Sequence, residues 1–169
     1  LVNSQNPRGG GWRYNPREDA DLSVTGWFLM ALETGRMVGI AIDPKIRDGV
    51  AEFLDHVSHE DQTRYAYSEF EPPSLSMTAE GLLCRIYLGW PKTSPALLKA
   101  IQDDLLPNVP REGEKDYSVY YWYYATQVLH HVGGAPWQQW NAAMRKVLPA
   151  MQEKAGAEES RADILRKVA

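Results

Sequence analysis

The sequence has little cysteine and no long apolar or basic run. Cys84 is the only cysteine among 169 residues, and the net charge is −4. A single cysteine excludes an intrachain disulfide and any zinc site built from several thiolates. No basic tract is interleaved with aromatic residues, so nucleic-acid binding is not expected. No apolar run approaches the roughly 20 residues that a membrane-spanning helix needs.

The sequence also lacks a signal peptide and an initiator methionine. Because it begins at Leu1, we expect that an upstream segment has been removed and that any targeting signal went with it, so the compartment stays open. Cys84 lies in an apolar stretch, and we interpret it as a small buried hydrophobe rather than a reactive thiol. The contents of 44% hydrophobic and 24% charged residues are typical of a soluble globular protein.

Three segments of the chain resemble one another at a spacing of about 50 residues, which is in the range of repeat architectures. Each has aromatic residues, then a polar stretch, then an apolar run. Each run begins near Asp or Ser and ends at Gly, as helices do. The runs are apolar nearly all round, which predicts helices buried on most sides. They comprise residues 22–32, 75–83 and 120–129, closed by Gly35, Gly89 and Gly133.

More amphipathic helices are predicted between these runs. Asp43-Pro44 and Ser94-Pro95 each place a capping residue before a proline at the first helical position. A third such helix is predicted from Pro136, and Pro149 should kink it or end it early. We find no strand pattern; Tyr65 and Tyr67 are assigned to polar loops. The sequence therefore predicts an all-α protein in which buried inner helices alternate with amphipathic outer ones.

Two stretches carry a resemblance to a known family. Residues 5–12, from Gln5 to Trp12, resemble the end of the glutamine–tryptophan motif of squalene–hopene cyclases, in which the Gln caps backbone groups and stacks on the Trp. Residues 11–27 and 123–134 are similar to bacterial proteins with the prenyltransferase and squalene-oxidase repeat. The resemblance covers most of residues 5–152. It is weaker in the second segment, where Gln62 precedes Tyr65 without Gly-x-Trp.

This resemblance implies a partial α/α toroid of about three helical hairpins. The toroid domain would span residues 1–155, with repeats at 12–59, 64–106 and 116–154, followed by a tail or short helix at 156–169. Complete toroids of this kind close with about five to seven hairpins. Further repeats, a partner subunit or a hydrophobic or carbohydrate ligand would then cover the inner helices.

The catalytic motifs of these families are not found in the sequence. Asp19-Ala20-Asp21 lacks the last residue of the cyclases' Asp-x-Asp-Asp, and we interpret Asp21 as a helix cap. In Asp116-Tyr117-Ser118, Ser118 stands where prenyltransferases place a zinc-binding thiolate. The pairs His130 and His131, and His56 and His59, are interpreted as structural. We therefore predict no metal and no cofactor, and we keep three weak catalytic candidates: Asp21, Glu80 and Asp116.

A set of aromatic residues lies before or at the starts of the predicted inner helices. Their faces beside acidic groups could bind a polyprenyl chain, a sugar or a cation, or they could wedge between helices and seal the repeats. Three functions stay open: a non-catalytic binding or scaffolding module; a divergent terpenoid cyclase, prenyltransferase-like enzyme, hydrolase or lyase; and a structural repeat of a larger cell-surface protein. The candidate ligand-binding residues are Trp12, Tyr14, Tyr65, Tyr67, Tyr117, Tyr120 and Tyr121.

Overall fold

The computed structural model describes residues 2–114 and 117–168, with side chains up to residue 152. Six α-helices account for most of this part of the chain, which confirms the prediction of an all-α protein. Short 3-10 turns at Val2–Ser4 and Leu106–Asn108 and a π-helical turn at Ile101–Leu105 complete the helical structure. The helices are α1 (Leu22–Met37), α2 (Pro44–His56), α3 (Leu75–Tyr87), α4 (Pro95–Ala100), α5 (Val119–Val132) and α6 (Gly134–Val168).

One small antiparallel ladder joins β1 (Ser58–His59) to β2 (Arg64–Tyr65). The assignment of Tyr65 to a loop is therefore wrong, because its backbone pairs with Ser58. The turn between the strands contains three consecutive residues with positive φ, Glu60, Asp61 and Gln62, which reverses the chain tightly. Two-residue strands are too short to leave an alternating pattern in the sequence.

The three predicted buried helices begin at side-chain caps. Asp21 Oδ1 accepts a hydrogen bond from the Val24 amide at 2.8 Å at the start of α1. Ser74 Oγ accepts one from Met77 at 3.2 Å before α3, and Ser118 Oγ caps α5. These contacts satisfy amides that the first turn of a helix leaves without partners. The interpretation of Asp21 as a cap agrees with this geometry.

The helix ends follow the predicted glycines in two of three cases. Gly89 (φ +108°) follows α3 and Gly133 (φ +76°) follows α5. Helix α1, however, passes Gly35 and ends at Met37. Its left-handed residue is Gly39 (φ +87°), and the Ile40 amide bonds back to the Gly35 carbonyl at 3.0 Å. This is the Schellman arrangement. The Gly35 carbonyl accepts the hydrogen bond that ends the helix, and Gly39 is the residue with the left-handed backbone.

Helix α3 lies in the middle of the molecule and packs between α1 and α5. All its residues from Met77 to Arg85 are buried. Helix α2 packs on α1, the Ile101–Leu105 turn packs on α3, and α6 packs on α5. Helices α1 and α5 each keep an exposed side, marked by Trp27 and Tyr123. The prediction that these helices are buried nearly all round therefore holds for α3 only.

The loops before α1 and α3 are built alike. The Trp12 amide donates to Thr25 Oγ1 at 2.9 Å, and the Asp21 amide donates to the Trp12 carbonyl at 3.0 Å. The Tyr65 amide donates to Thr78 Oγ1 at 3.2 Å in the same way. The Ser74 amide likewise bonds to the Tyr65 carbonyl. The second segment thus repeats the geometry of the first, with Tyr65 in the place of Trp12.

Arginine side chains tie the helices together. Arg47 of α2 donates to Glu33 of α1 at 2.8 Å and to the Tyr87 carbonyl at the end of α3. Arg85 of α3 is buried; it pairs with Asp55 of α2 and donates to the Tyr65 hydroxyl at 3.1 Å. These contacts cross from one helix to another and hold α1, α2 and α3 together.

Helix α6 differs from the sequence prediction at both ends. It begins at Gly134 rather than Pro136, and it continues through Pro149 to Val168. Residues 156–168 therefore extend α6 instead of forming a separate short helix. Proline removes one intrahelical hydrogen bond and leaves the carbonyl four residues earlier, at Arg145, without a donor. Both Pro149 and Arg145 are exposed, so water can solvate that carbonyl and the helix need not end.

Candidate functional site

Three of the predicted ligand-binding aromatics are buried between structural elements. Trp12 is 1% exposed and stacks on Phe28 with ring centroids 5.1 Å apart. The hydroxyl of the buried Tyr65 accepts a hydrogen bond from Arg85. The buried Tyr121 donates to the Leu105 carbonyl at 3.2 Å. These rings are part of the core and present no open face to a ligand.

The other predicted aromatics are dispersed. Tyr14 is 83% exposed, and the half-exposed Tyr117 stacks on Trp122. Tyr67 lies beside Arg13, and burial is the main cause that raises the pKa of its hydroxyl. The structure therefore does not gather the seven predicted residues into one surface. Two members contact candidate acids: Tyr67 contacts Asp21, and Tyr120 contacts Glu80.

Two of the three candidate acids, Asp21 and Glu80, lie in the part of the chain that the structure describes. Asp116 lies outside the described residues. Asp21 is buried, caps α1 and lies 3.3 Å from the Arg13 guanidinium. Glu80 is buried at the centre of α3. Glu80 is thus the candidate acid that is neither a helix cap nor an ion-pair partner among the described residues.

The Glu80 carboxyl is held by hydroxyl groups from the neighbouring helices. Tyr120 Oη lies 2.7 Å from Glu80 Oε2 and 3.1 Å from Ser23 Oγ. Tyr120 comes from α5 and Ser23 from α1, so the tyrosine side chain reaches across α3. The other carboxyl oxygen, Oε1, is buried and has no hydrogen-bond partner in the described part of the chain. The same holds for the hydroxyl of Tyr124.

The backbone of α1 is shaped to admit this carboxyl group. A Cβ atom on Gly26 would lie 2.3 Å from Glu80 Oε1. That distance is far inside van der Waals contact, so a larger residue at position 26 would displace the carboxyl. Gly26 therefore allows α1 and α3 to approach closely at the height of Glu80.

The surroundings of Glu80 favour its neutral form. Burial is the largest cause, and it raises the pKa of Glu80 from 4.5 to about 8; the charge of Asp21 acts in the same direction. The hydrogen bond that Tyr120 donates opposes this shift. Burial also raises the pKa of Tyr120 to about 12 and that of Tyr124 in the same direction. At neutral pH the site therefore holds a protonated carboxyl among protonated phenols.

Aromatic rings from both flanking helices cover this part of α3. Tyr120 and Tyr124 contact each other with centroids 4.9 Å apart. Trp27 of α1 stacks on Tyr123 of α5 at 5.9 Å and meets Tyr124 edge-on at 6.5 Å. The side chains of α1 and α5 thus meet across α3.

A groove of about 680 Å³ continues from Trp27 toward the C-terminal ends of α1, α3 and α5. Trp27 and Tyr123, which are 51% and 45% exposed, lie on its two sides. Tyr87 contributes from α3 and donates to the Gln127 side chain at 3.2 Å. His131 packs edge-on against Tyr87, and burial lowers its pKa. The groove therefore combines aromatic surfaces with polar groups. We call it, together with Glu80 and Tyr120, the inner site.

Sequence reasoning missed Trp27, Tyr123 and Tyr124 as members of this site. A signal existed, because Trp27, Glu80 and Tyr124 each occupy the sixth position after their helix caps. Two repeats have an aromatic residue at this position and the middle one has a carboxyl group. The comparison of repeats could have singled out Glu80 in this way.

The described residues contain no group of three or more His, Cys, Asp and Glu side chains arranged to hold a metal ion. His130 packs against Trp137 at 5.0 Å, whereas His131 faces Tyr87. The hydroxyl of Ser118 caps α5. Within the same part of the chain, no helix is long and apolar enough to cross a membrane.

Compared with protein-family models, curated proteins and solved structures, the chain gives no significant match.

Proposed function

We propose that this chain is a non-catalytic binding module with the α/α-toroid architecture of terpenoid cyclases, and that it holds a small organic ligand at the inner site. The alternation of inner and outer helices supports the architecture, as does the shared geometry of the loops before α1 and α3. The observation that carries the binding role is the half-exposed pair of Trp27 and Tyr123 beside a groove of about 680 Å³. Pockets that combine aromatic surfaces with a few polar groups are typical ligand sites.

The proposed position differs from the one expected from the sequence. The sequence favoured the aromatic residues at the starts of the inner helices, but Trp12, Tyr65 and Tyr121 are buried there. The groove begins further along α1 and α5. Of the residues named from the sequence, Tyr120 and Glu80 remain part of the proposed site.

A second candidate function is an enzyme in which Glu80 acts as a general acid. Burial raises the pKa of Glu80 to about 8, which keeps a proton available for transfer at neutral pH. A divergent cyclase, prenyltransferase-like enzyme, hydrolase or lyase would need such a group. The binding role is favoured because Glu80 is fully enclosed by side chains and has no open path to a substrate.

The binding proposal is tested by two-dimensional amide NMR of the labelled protein with three probes: farnesol, cellotriose and choline. They represent an apolar chain, a sugar and an organic cation. We expect at least one probe to shift amides of α1 and α5 around Trp27 and Tyr123, and Trp27→Ala to remove the shifts. Phe70→Ala is the matched control, because Phe70 is 91% exposed and does not line the groove. If no probe shifts these amides, the proposal is refuted.

A further inference from the structure

We propose that the groove of the inner site binds a carbohydrate, with a sugar ring stacked on Trp27 or Tyr123 and its hydroxyl groups bonded to polar side chains of α5 and α1. This inference rests on the proposed binding function and adds the chemical class of the ligand. It is carried by the order of side chains along the groove, by their unused hydrogen-bonding capacity and by the balance of charge. The ligand lies in the groove and does not need to reach the buried Glu80.

The groove presents a row of side chains along α5. Helix α3 contributes Ile86 and Tyr87 to the lining, and α1 and α5 both pack on α3. Tyr123, Gln127 and His131 are spaced four residues apart, so they lie on one face of α5. Eight residues of helix rise by about 12 Å, which is enough for more than one sugar ring. The row therefore offers an aromatic ring, an amide and an imidazole in succession to one extended ligand.

The first element of the site is the pair of exposed rings. Trp27 stacks on Tyr123 with centroids 5.9 Å apart and an angle of 23° between the ring planes. About half of each side chain stays exposed. The face of an aromatic ring carries partial negative charge, whereas the C–H groups on one side of a sugar ring are made partially positive by the neighbouring oxygens. A sugar can therefore stack on the exposed part of these rings.

The second element is the hydrogen-bonding capacity next to the rings. A glutamine side chain has two N–H groups and two acceptor lone pairs. Gln127 accepts from the Tyr87 hydroxyl at 3.2 Å and donates to the Tyr123 carbonyl at 3.4 Å, which leaves one N–H and one lone pair. Burial lowers the pKa of His131, so its imidazole is neutral at neutral pH and has one donor and one acceptor. A sugar hydroxyl donates and accepts at once, so it can bond to either residue.

The charges along the groove are already paired. Glu33 is the carboxylate of the lining, and it receives Arg36 at 2.7 Å and Arg47 at 2.8 Å. An ammonium ligand would therefore find its counter-charge bound to two arginines. A carboxylate or phosphate ligand would compete with Glu33 for Arg36, which is the arginine of the lining. A sugar needs no counter-charge, so this balance favours it.

An apolar chain fits the same lining less well. Hydrocarbon laid along α5 would cover Gln127 and His131, which would then lose water without gaining a partner. Met30 and Met37 of α1 add apolar surface to the groove. One side of the ligand should therefore be apolar and the other polar, as the C–H face and the hydroxyl groups of a sugar are.

The test is two-dimensional amide NMR of the labelled protein with the trisaccharides cellotriose, maltotriose and chitotriose. Farnesol and choline represent the other ligand classes. The side-chain NH₂ signals of Gln127 appear in the same spectrum as the backbone amides. We expect at least one trisaccharide to shift these signals and the indole N–H signal of Trp27, and farnesol and choline to leave them unchanged at the same concentration. The NH₂ signals of Gln138, which is exposed on α6 and does not line the groove, should not move.

A substitution then tests the amide directly. Gln127→Leu keeps the approximate size of the side chain and removes its hydrogen-bonding groups. The affinity for the trisaccharide should fall roughly threefold to tenfold, the range expected for the loss of one hydrogen bond. Gln138→Leu makes the same replacement at an exposed position and should bind as the wild type does. Should Gln127→Leu fail to fold, the shifts of the Gln127 NH₂ signals in the wild-type protein still decide.

The outcomes separate the ligand class from the binding function. Shifts around Trp27 and Tyr123 with farnesol or choline, but with none of the trisaccharides, would overturn the carbohydrate inference and leave the binding function intact. Trisaccharide binding that does not shift the Gln127 side chain, or an unchanged affinity of Gln127→Leu, would overturn it as well. If no probe shifts the signals of the groove, the inference and the binding function both fall.

Discussion

Replacement of Glu80 by glutamine should change the pH dependence of stability in a specific direction. Glutamine keeps the size and shape of the side chain, and its amide can bond to Tyr120 as the neutral acid does. It removes the titration of the only described buried carboxyl without an ion pair. The comparison with wild-type protein therefore isolates the cost of ionising a carboxyl in this environment.

The sign and size follow from the pKa of Glu80. Burial raises it from 4.5 to about 8, so the folded protein keeps a proton that the unfolded chain releases. The wild-type protein thus has the full contribution of Glu80 below pH 4.5 and loses it as the pH rises toward 8. One pKa unit corresponds to about 1.4 kcal/mol, so the loss over this window is roughly 4–5 kcal/mol. The glutamine variant does not lose this contribution.

The assay is urea denaturation of both proteins at pH 5, 6, 7 and 8. The free energy of unfolding of Glu80→Gln, relative to wild type, should rise by about 1 kcal/mol per pH unit across this range. The urea midpoints of Glu69→Gln, an exposed substitution, should follow those of wild type. A constant difference between Glu80→Gln and wild type would refute the assignment of Glu80 as a neutral buried acid.

Three further predictions concern two positions in the core and the metal content of the protein. Trp12→Ala should lower the free energy of unfolding by about 3 kcal/mol or more, because a buried ring stacked on Phe28 is lost; a thermal melt that is unchanged would contradict its role as a clasp. Gly81→Ala should destabilise by about 1–3 kcal/mol, since a Cβ there would lie 2.4 Å from the buried Tyr65 ring; a neutral urea midpoint would show that the ring can move. Metal analysis of the purified protein should find no stoichiometric zinc, because Ser118 offers a capping hydroxyl in place of a thiolate, and one bound equivalent would overturn this reading.

The local features of the fold were predictable because they depend on residues close together in the chain. Asp21 and Ser74 cap their helices through amides three positions away, and Gly89 ends α3 through its own backbone. Proline at the first helical position marks α2 and α4. The failed prediction at Pro149 depended on solvent instead: the proline remains within α6 because its surroundings are exposed.

The sequence by itself determined that the protein is helical and where most helices begin. It also supplied Glu80 and Tyr120 as separate candidates. Only the tertiary structure joined them, because Tyr120 reaches Glu80 from a different helix and Trp27 meets Tyr123 across α3. The chemical state of Glu80 likewise depends on what the fold excludes, namely water and a cationic neighbour, and short-range sequence patterns do not encode either exclusion.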